Sequence, residues 1–124
     1  MEQQIVARED FERYLDLGDV LKRLGGNRAI LVTLLKKFIA GKEEERLKEA
    51  LANFPESRQE AKDAAHTIKG LAANLSLIGL REAALNLETA LKSGGEPGDL
   101  PQAVYDAYAK TSNVIQSMLD AGEI

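Results

Sequence analysis

The chain has no cysteine, no tryptophan, a single histidine and only three prolines, and its aromatic residues amount to 5%. Without cysteine there is no disulfide, no thiolate metal ligand and no thiol nucleophile. One imidazole cannot build a zinc site alone, and the carboxylates show no metal-ligand spacing, so no metal site is expected. A long uncharged apolar run is missing, as is a start with the basic, apolar, small-residue pattern of a signal peptide. The expectation is a soluble cytoplasmic protein. Positive charge is also in short supply: 16 Lys and Arg face 20 Asp and Glu, a net charge of -4, which disfavours nucleic acid as a partner. No Gly-rich GxxxxGK[ST] loop is present to cradle a nucleotide. The chain is not expected to be an enzyme with its own ATP site, nor to hold a cofactor of its own.

What remains is a chain of 124 residues, 44% hydrophobic and rich in Leu and Ala. That length suits one domain, and that composition favours helices packed through aliphatic side chains, an all-α class. Residues 1–15 read as an N-terminal extension, partly ordered at most, with Met1 to Glu9 aperiodic, and residues 16–122 as the helical unit. LDLGDVLKRL forms a short additional N-terminal helix stopped by Gly25 and Gly26, and Asn27 caps the next. Ile30, Leu31, Leu34, Leu35 and Phe38 then form an apolar stripe that should face the core. Gly41 leaves open whether the stretch through Leu47, Ala50 and Leu51 is the same helix or another.

After Pro55, Ser57 and Glu60 have the spacing of a capping box. They predict a helix from Arg58 to Ile78 with Gly79 as its stop, then a helix to Lys92 and a last one opened by Asp99 and Pro101. The last helix puts Val104, Ala107, Tyr108, Thr111, Val114, Ile115, Met118 and Leu119 on one side. Short connections favour antiparallel neighbours in a bundle.

On the Arg58 helix, Ala61, Ala64, Ile68, Leu71, Ala72 and Leu75 share the face that should be buried. Lys62, His66, Lys69, Gly70, Ala73 and Leu77 fall opposite, so the imidazole should project from the bundle. An exposed imidazole is a nucleophile through its unprotonated nitrogen when something holds one tautomer. Lys69, at i+3, can neutralise phosphoryl oxygens on that ring. Gly70, at i+4, removes a β-carbon beside the nucleophile where a helix interior would normally avoid glycine. Any one of these residues is common on a soluble helix, but their shared stripe has a mechanism.

The run AHTIKGLAANLSLIGL, Ala65 to Leu80, resembles the HxxKG signature of histidine-phosphotransfer (HPt) domains of bacterial phosphorelays. The resemblance extends from Asp16 through the later helices. It implies an antiparallel four-helix bundle that displays His66 as phosphoacceptor, with Lys69 as phosphate neighbour and Gly70 as clearance. It also places Glu88, from the following helix, beside the ring nitrogen that is not phosphorylated, where a carboxylate would accept the Nδ1 proton. Donor and acceptor would be response-regulator receiver domains, including those of hybrid sensor kinases, which bring the Mg²⁺. Lys62, Ala73 and Leu77 would help form the docking face of a monomer.

Two other classes compete. The dimerising hairpin of a sensor histidine kinase usually follows its histidine with an acid and then a proline; here Thr67 follows His66 and the next proline is Pro97. A non-catalytic helical adaptor would keep the bundle and carry no phosphate.

Overall fold

The computed structural model describes residues 5–124, and every regular element among them is helical. A 3-10 turn (Arg8–Asp10) leads into α1 (Phe11–Tyr14) and α2 (Leu17–Arg23). The longer helices are α3 (Arg28–Ala40), α4 (Glu43–Ala52), α5 (Arg58–Asn74), α6 (Ile78–Lys92) and α7 (Leu100–Asp120). Helix α5 packs against α4 on one side and α6 on the other, α6 packs against α7, and α7 reaches α3. Taken in tandem, α3 and α4 supply one position of a four-helix bundle. The chain leaves the helical conformation at Gly41 (ψ 167°), so two helices occupy the stretch that the sequence left undivided.

The entry segment follows its turn chemistry. Gly25 and Gly26 take left-handed φ values of 64° and 79° after α2, and the Asn27 carboxamide accepts the Ile30 amide at 3.0 Å. Leu31, Leu35 and Phe38 are buried and Leu34 half-buried, whereas Ile30 is 47% exposed. Ile30 lies about 100° around the helix from Leu31, outside the arc that the other residues of the stripe define. Phe38 stacks on Tyr108 of α7 at 4.9 Å, closing the bundle.

The segment before Asp16 is docked where it is described. Leu15 is buried, Val6, Phe11 and Tyr14 pack against the core, and Arg8 pairs with Glu123 near the other end of the chain. The expectation for residues 1–4 lies outside the described residues.

Both ends of α5 are tied in ways that correct the sequence reading. The Ser57–Glu60 capping box is not made: the buried Ser57 hydroxyl donates instead to the Ala50 carbonyl, joining the end of α4 to the start of α5. Arg58 donates to the carbonyls of Leu91 and Gly95 at 3.1 and 2.8 Å, pinning the start of α5 to the end of α6. At the other end α5 stops at Asn74, not Ile78. Ser76 adopts φ 59°, Leu77 N–H bonds to Ala72 O at 2.8 Å and Ser76 N–H to Ala73 O at 3.4 Å, the Schellman closure in which glycine is the usual left-handed residue.

A left-handed serine costs on the order of 1–2 kcal/mol. Ser76 offsets that cost with two long-range bonds: its hydroxyl donates to Asp19 Oδ2 at 2.6 Å and its carbonyl accepts the Asp16 amide at 3.0 Å. The Ser76 hydroxyl, followed by Arg23, holds the Asp19 carboxyl below its usual range. Gly79, expected to be the helix stop, belongs to the first turn of α6, where a β-carbon would come within 3.1 Å of the Tyr14 ring. Its smallness serves the approach of α1, and the turn is made by Ser76. With both ends of the α5–α6 pair fixed, the register between their facing side chains is fixed as well.

Candidate functional site

The buried face of α5 consists of Ala61, Ala65, Ile68 and Ala72, with Leu75 just past the helix end; Ala64 and Leu71 are half-buried at its margin. Ala65 belongs to the core without having been expected there, and Leu71, expected on the buried face, stays at its edge. This small-residue face brings α5 close to α6, and the exposed side of the seam carries the site. His66 rises from it with 66% of its side chain exposed.

The imidazole is held from below. His66 Nδ1 lies 2.6 Å from Glu88 Oε2, and the Glu88 side chain is only 5% exposed. A carboxylate can only accept, so the proton of this bond sits on Nδ1 and the unprotonated nitrogen is Nε2, on the outer side of the ring. Glu88 Oε1 receives the Lys69 ammonium at 2.7 Å, with the Lys69 side chain 28% exposed. Burial acts to raise the Glu88 carboxyl, but the hydrogen bonds from Lys69 and His66 overcome it and hold the group below the usual carboxylate range. The ordered set is an exposed imidazole, a buried carboxylate that orients it and a half-buried ammonium that balances the carboxylate.

Gly70 is half-buried, and a β-carbon added there would meet nothing within 4 Å outside its own helix and chain neighbours. No packing contact inside the molecule demands a glycine at this position. The open volume lies one turn from His66, on the solvent side.

Of the residues expected on the docking face, Lys62 and Ala73 are half-buried on the same side of α5 as His66. Leu77 is not on that face: it is fully buried. The helical phase that placed it beside His66 ends at Asn74, and the left-handed Ser76 turns the chain so that Leu77 enters the core as the N-cap of α6. Leu85, 40% exposed, is the apolar residue that the sequence reading missed. It stands one turn before Glu88, and by helical register it faces the same side of the seam as His66, as does the exposed Arg81. Its signal in the sequence was its offset from the buried Ala84 and Leu87, which becomes informative only once Glu88 is known to face His66.

Among the described residues, no group of three or more His, Cys, Asp or Glu could hold a metal ion, and no helix is long and apolar enough to cross a membrane. Fold and site together define a helical bundle whose reactive feature is one exposed, carboxylate-oriented imidazole. The chain belongs to the Hpt-domain family, whose model matches residues 34–121, well over half of it; α1, α2 and the first turns of α3 precede the matched stretch. Comparisons with curated proteins and with solved structures gave no match. Membership makes this a histidine-phosphotransfer module of phosphorelay signalling, a phosphocarrier and not a classical enzyme.

Proposed function

We propose that His66 Nε2 accepts a phosphoryl group from the phospho-aspartate of one receiver domain and passes it to the aspartate of another. The observation that carries this reading is the 2.6 Å bond from Nδ1 to the buried Glu88, because it leaves the outward nitrogen with its lone pair. In the forward step the Nε2 pair attacks phosphorus, the N–P bond forms, the aspartyl O–P bond breaks, and its electron pair stays on the aspartate carboxylate. The ring keeps its Nδ1 proton and becomes an imidazolium beside the Glu88 carboxylate. In the reverse step the N–P pair returns to Nε2 and a neutral imidazole leaves. No proton moves at His66 in either direction, which suits a carrier that must load and unload.

Lys69 supplies positive charge near the transferred group, and Gly70 keeps open the space that a partner's loops would enter. Mg²⁺ and the remaining catalytic groups come with the receiver domain. Docking uses the face around His66, with Lys62, Ala73 and Leu85 as this chain's share, and the hybrid sensor kinase upstream presents its receiver domain to that face. Incubation with a phosphorylated receiver is expected to label the protein with acid-labile, alkali-stable phosphate, and His66→Gln is expected to abolish the label. Label that persists in His66→Gln would refute the assignment of His66; absence of label with a panel of receivers would favour the adaptor reading.

A further inference from the structure

The Glu88 carboxylate is shared. One oxygen accepts from the His66 ring at 2.6 Å and the other from the Lys69 ammonium at 2.7 Å, so in the free protein Lys69 is engaged on the carboxylate. It does not stand waiting beside an empty phosphate position. A carboxylate 5% exposed needs a counter-ion, and next to a neutral imidazole Lys69 alone among the described residues bonds to it with a full charge. Of the two ammonium groups one helical turn from the ring, Lys62 and Lys69, it is Lys69 that bonds to the carboxylate.

We propose, building on the reading of His66 as phosphoacceptor, that Lys69 is an exchanging counter-ion: it holds Glu88 while His66 is free and moves to the phosphoryl oxygens once His66 is phosphorylated. Charge stays paired at every stage. In the free state Glu88 is balanced by Lys69 and the imidazole is neutral. When the N–P bond forms with the Nδ1 proton retained, the ring itself becomes the cation that Glu88 requires, and the ammonium is released for the phosphoryl group. Phosphorylation thereby supplies the counter-ion that Lys69 leaves behind, so the exchange strands neither a buried anion nor a buried cation. Lys69 is thus a positioning residue in one state and a phosphate ligand in the other.

The other charged groups that helical register places on this side of the seam are Arg81 and Lys92 on α6 and Lys62 on α5, and none of them bonds to the carboxylate. The geometry also explains why the pair involves a lysine. An ammonium on a four-carbon stem can swing between two acceptors across the width of an imidazole, whereas a planar fork would stay on the carboxylate.

The test uses the full chain with carboxyl-¹³C-labelled glutamate and ¹⁵N-labelled lysine, as the wild type and as Lys69→Met, Lys69→Arg and Glu88→Gln variants. In the free protein, Lys69→Met is expected to raise the Glu88 titration midpoint by roughly one pH unit or more, and Lys69→Arg to restore it. An unchanged midpoint in Lys69→Met would overturn the resting half of the exchange. After phosphorylation by a receiver, or by phosphoramidate as a small chemical donor, Lys69→Met is expected to shorten the lifetime of the phosphohistidine by about tenfold, the loss of one charge-assisted bond. Glu88→Gln, which frees Lys69 beforehand, is expected to leave that lysine on the phosphate. A wild-type Lys69 ammonium resonance that does not move on phosphorylation, while label is present on His66, would refute the exchange and leave the phosphoacceptor reading standing. A chain labelled by neither donor would refute both. Circular dichroism melts of each variant separate these effects from a loss of fold.

Discussion

Replacing Gly70 by alanine should move stability and phosphotransfer in opposite directions. Gly70 lies in α5 four residues before its last residue, Asn74, so its backbone is inside the helix and not part of the closing turn. Alanine is favoured over glycine in a helix interior by about 0.8–1.0 kcal/mol, through lower entropy in the unfolded chain and better shielding of the backbone. Nothing subtracts from that gain here, because the added β-carbon meets no neighbour within 4 Å. For a domain of this size the gain corresponds to a rise in melting temperature of roughly 3–6 °C. The same β-carbon would stand in the space one turn from His66 that a docked receiver enters in the proposed function. A methyl group wedged into a close-packed contact costs about 1–3 kcal/mol, which amounts to a loss of roughly 5- to 160-fold in transfer rate at subsaturating receiver.

The assay pairs a chemical-denaturation curve with the initial rate of label transfer from a phosphorylated receiver, on the same preparation. Gly70→Val should slow transfer further while gaining less stability, since a β-branched residue is a poorer helix former. If Gly70→Ala destabilises the protein, the glycine is serving an internal contact and the clearance argument fails. If it stabilises and transfer is unchanged, the space beside His66 is not used by the partner.

Two further outcomes follow from the placement of side chains. Leu77→Ala should cost about 2–5 kcal/mol in denaturation, because a fully buried leucine leaves a cavity, whereas Leu85→Ala should stay within about 0.5 kcal/mol and act on receiver affinity instead; a mild Leu77→Ala would reinstate that residue on the surface. Acid should weaken the fold through Glu88. Its carboxyl lies below the ordinary 4.5 when folded, so its contribution is fully present above that pH and is lost as pH falls through the folded value. Glu88→Gln should therefore flatten the stability profile below about pH 4.5, and a profile as steep as that of the wild type would assign the acid sensitivity to other carboxylates.

Local signals in the sequence were strong where one residue decides the outcome. Asn27 caps α3, Gly25 and Gly26 end the preceding helix, and the period of three and four on α7 marks its core side almost residue for residue. They failed where a distant partner decides. The Ser-x-x-Glu pattern at Ser57 was locally sound, but the hydroxyl found the Ala50 carbonyl in its neighbour helix. Ser76 carries no local mark of a left-handed turn, because what stabilises it there comes from Asp19 and Asp16, far away in the chain. Missing that turn displaced Gly79 and put Leu77 on the wrong face. The site was legible in its helix-local part, His66 with Lys69 and Gly70, and Glu88 came only through the family resemblance. The Lys69–Glu88 pair was not legible, since it depends on the register between two helices that Arg58 and Ser76 fix from the ends.

A phosphocarrier needs a nucleophile that any suitable partner can reach, yet a side chain that is easy to reach is usually free to rotate. Here the two demands fall on different residues. His66 is two-thirds exposed, while the carboxylate that orients it is almost entirely buried and is itself gripped by Lys69. Order is thus imposed from beneath the ring, and access is left open above it. A buried orienter is costly unless its charge is balanced in both the loaded and the unloaded state, and in the proposed exchange the two cations that balance it, the lysine and the phosphorylated ring, act in alternation. Under the proposed function the catalytic work is then left to the receiver, because this chain has only to present one nitrogen, at one angle, with the proton already on the other.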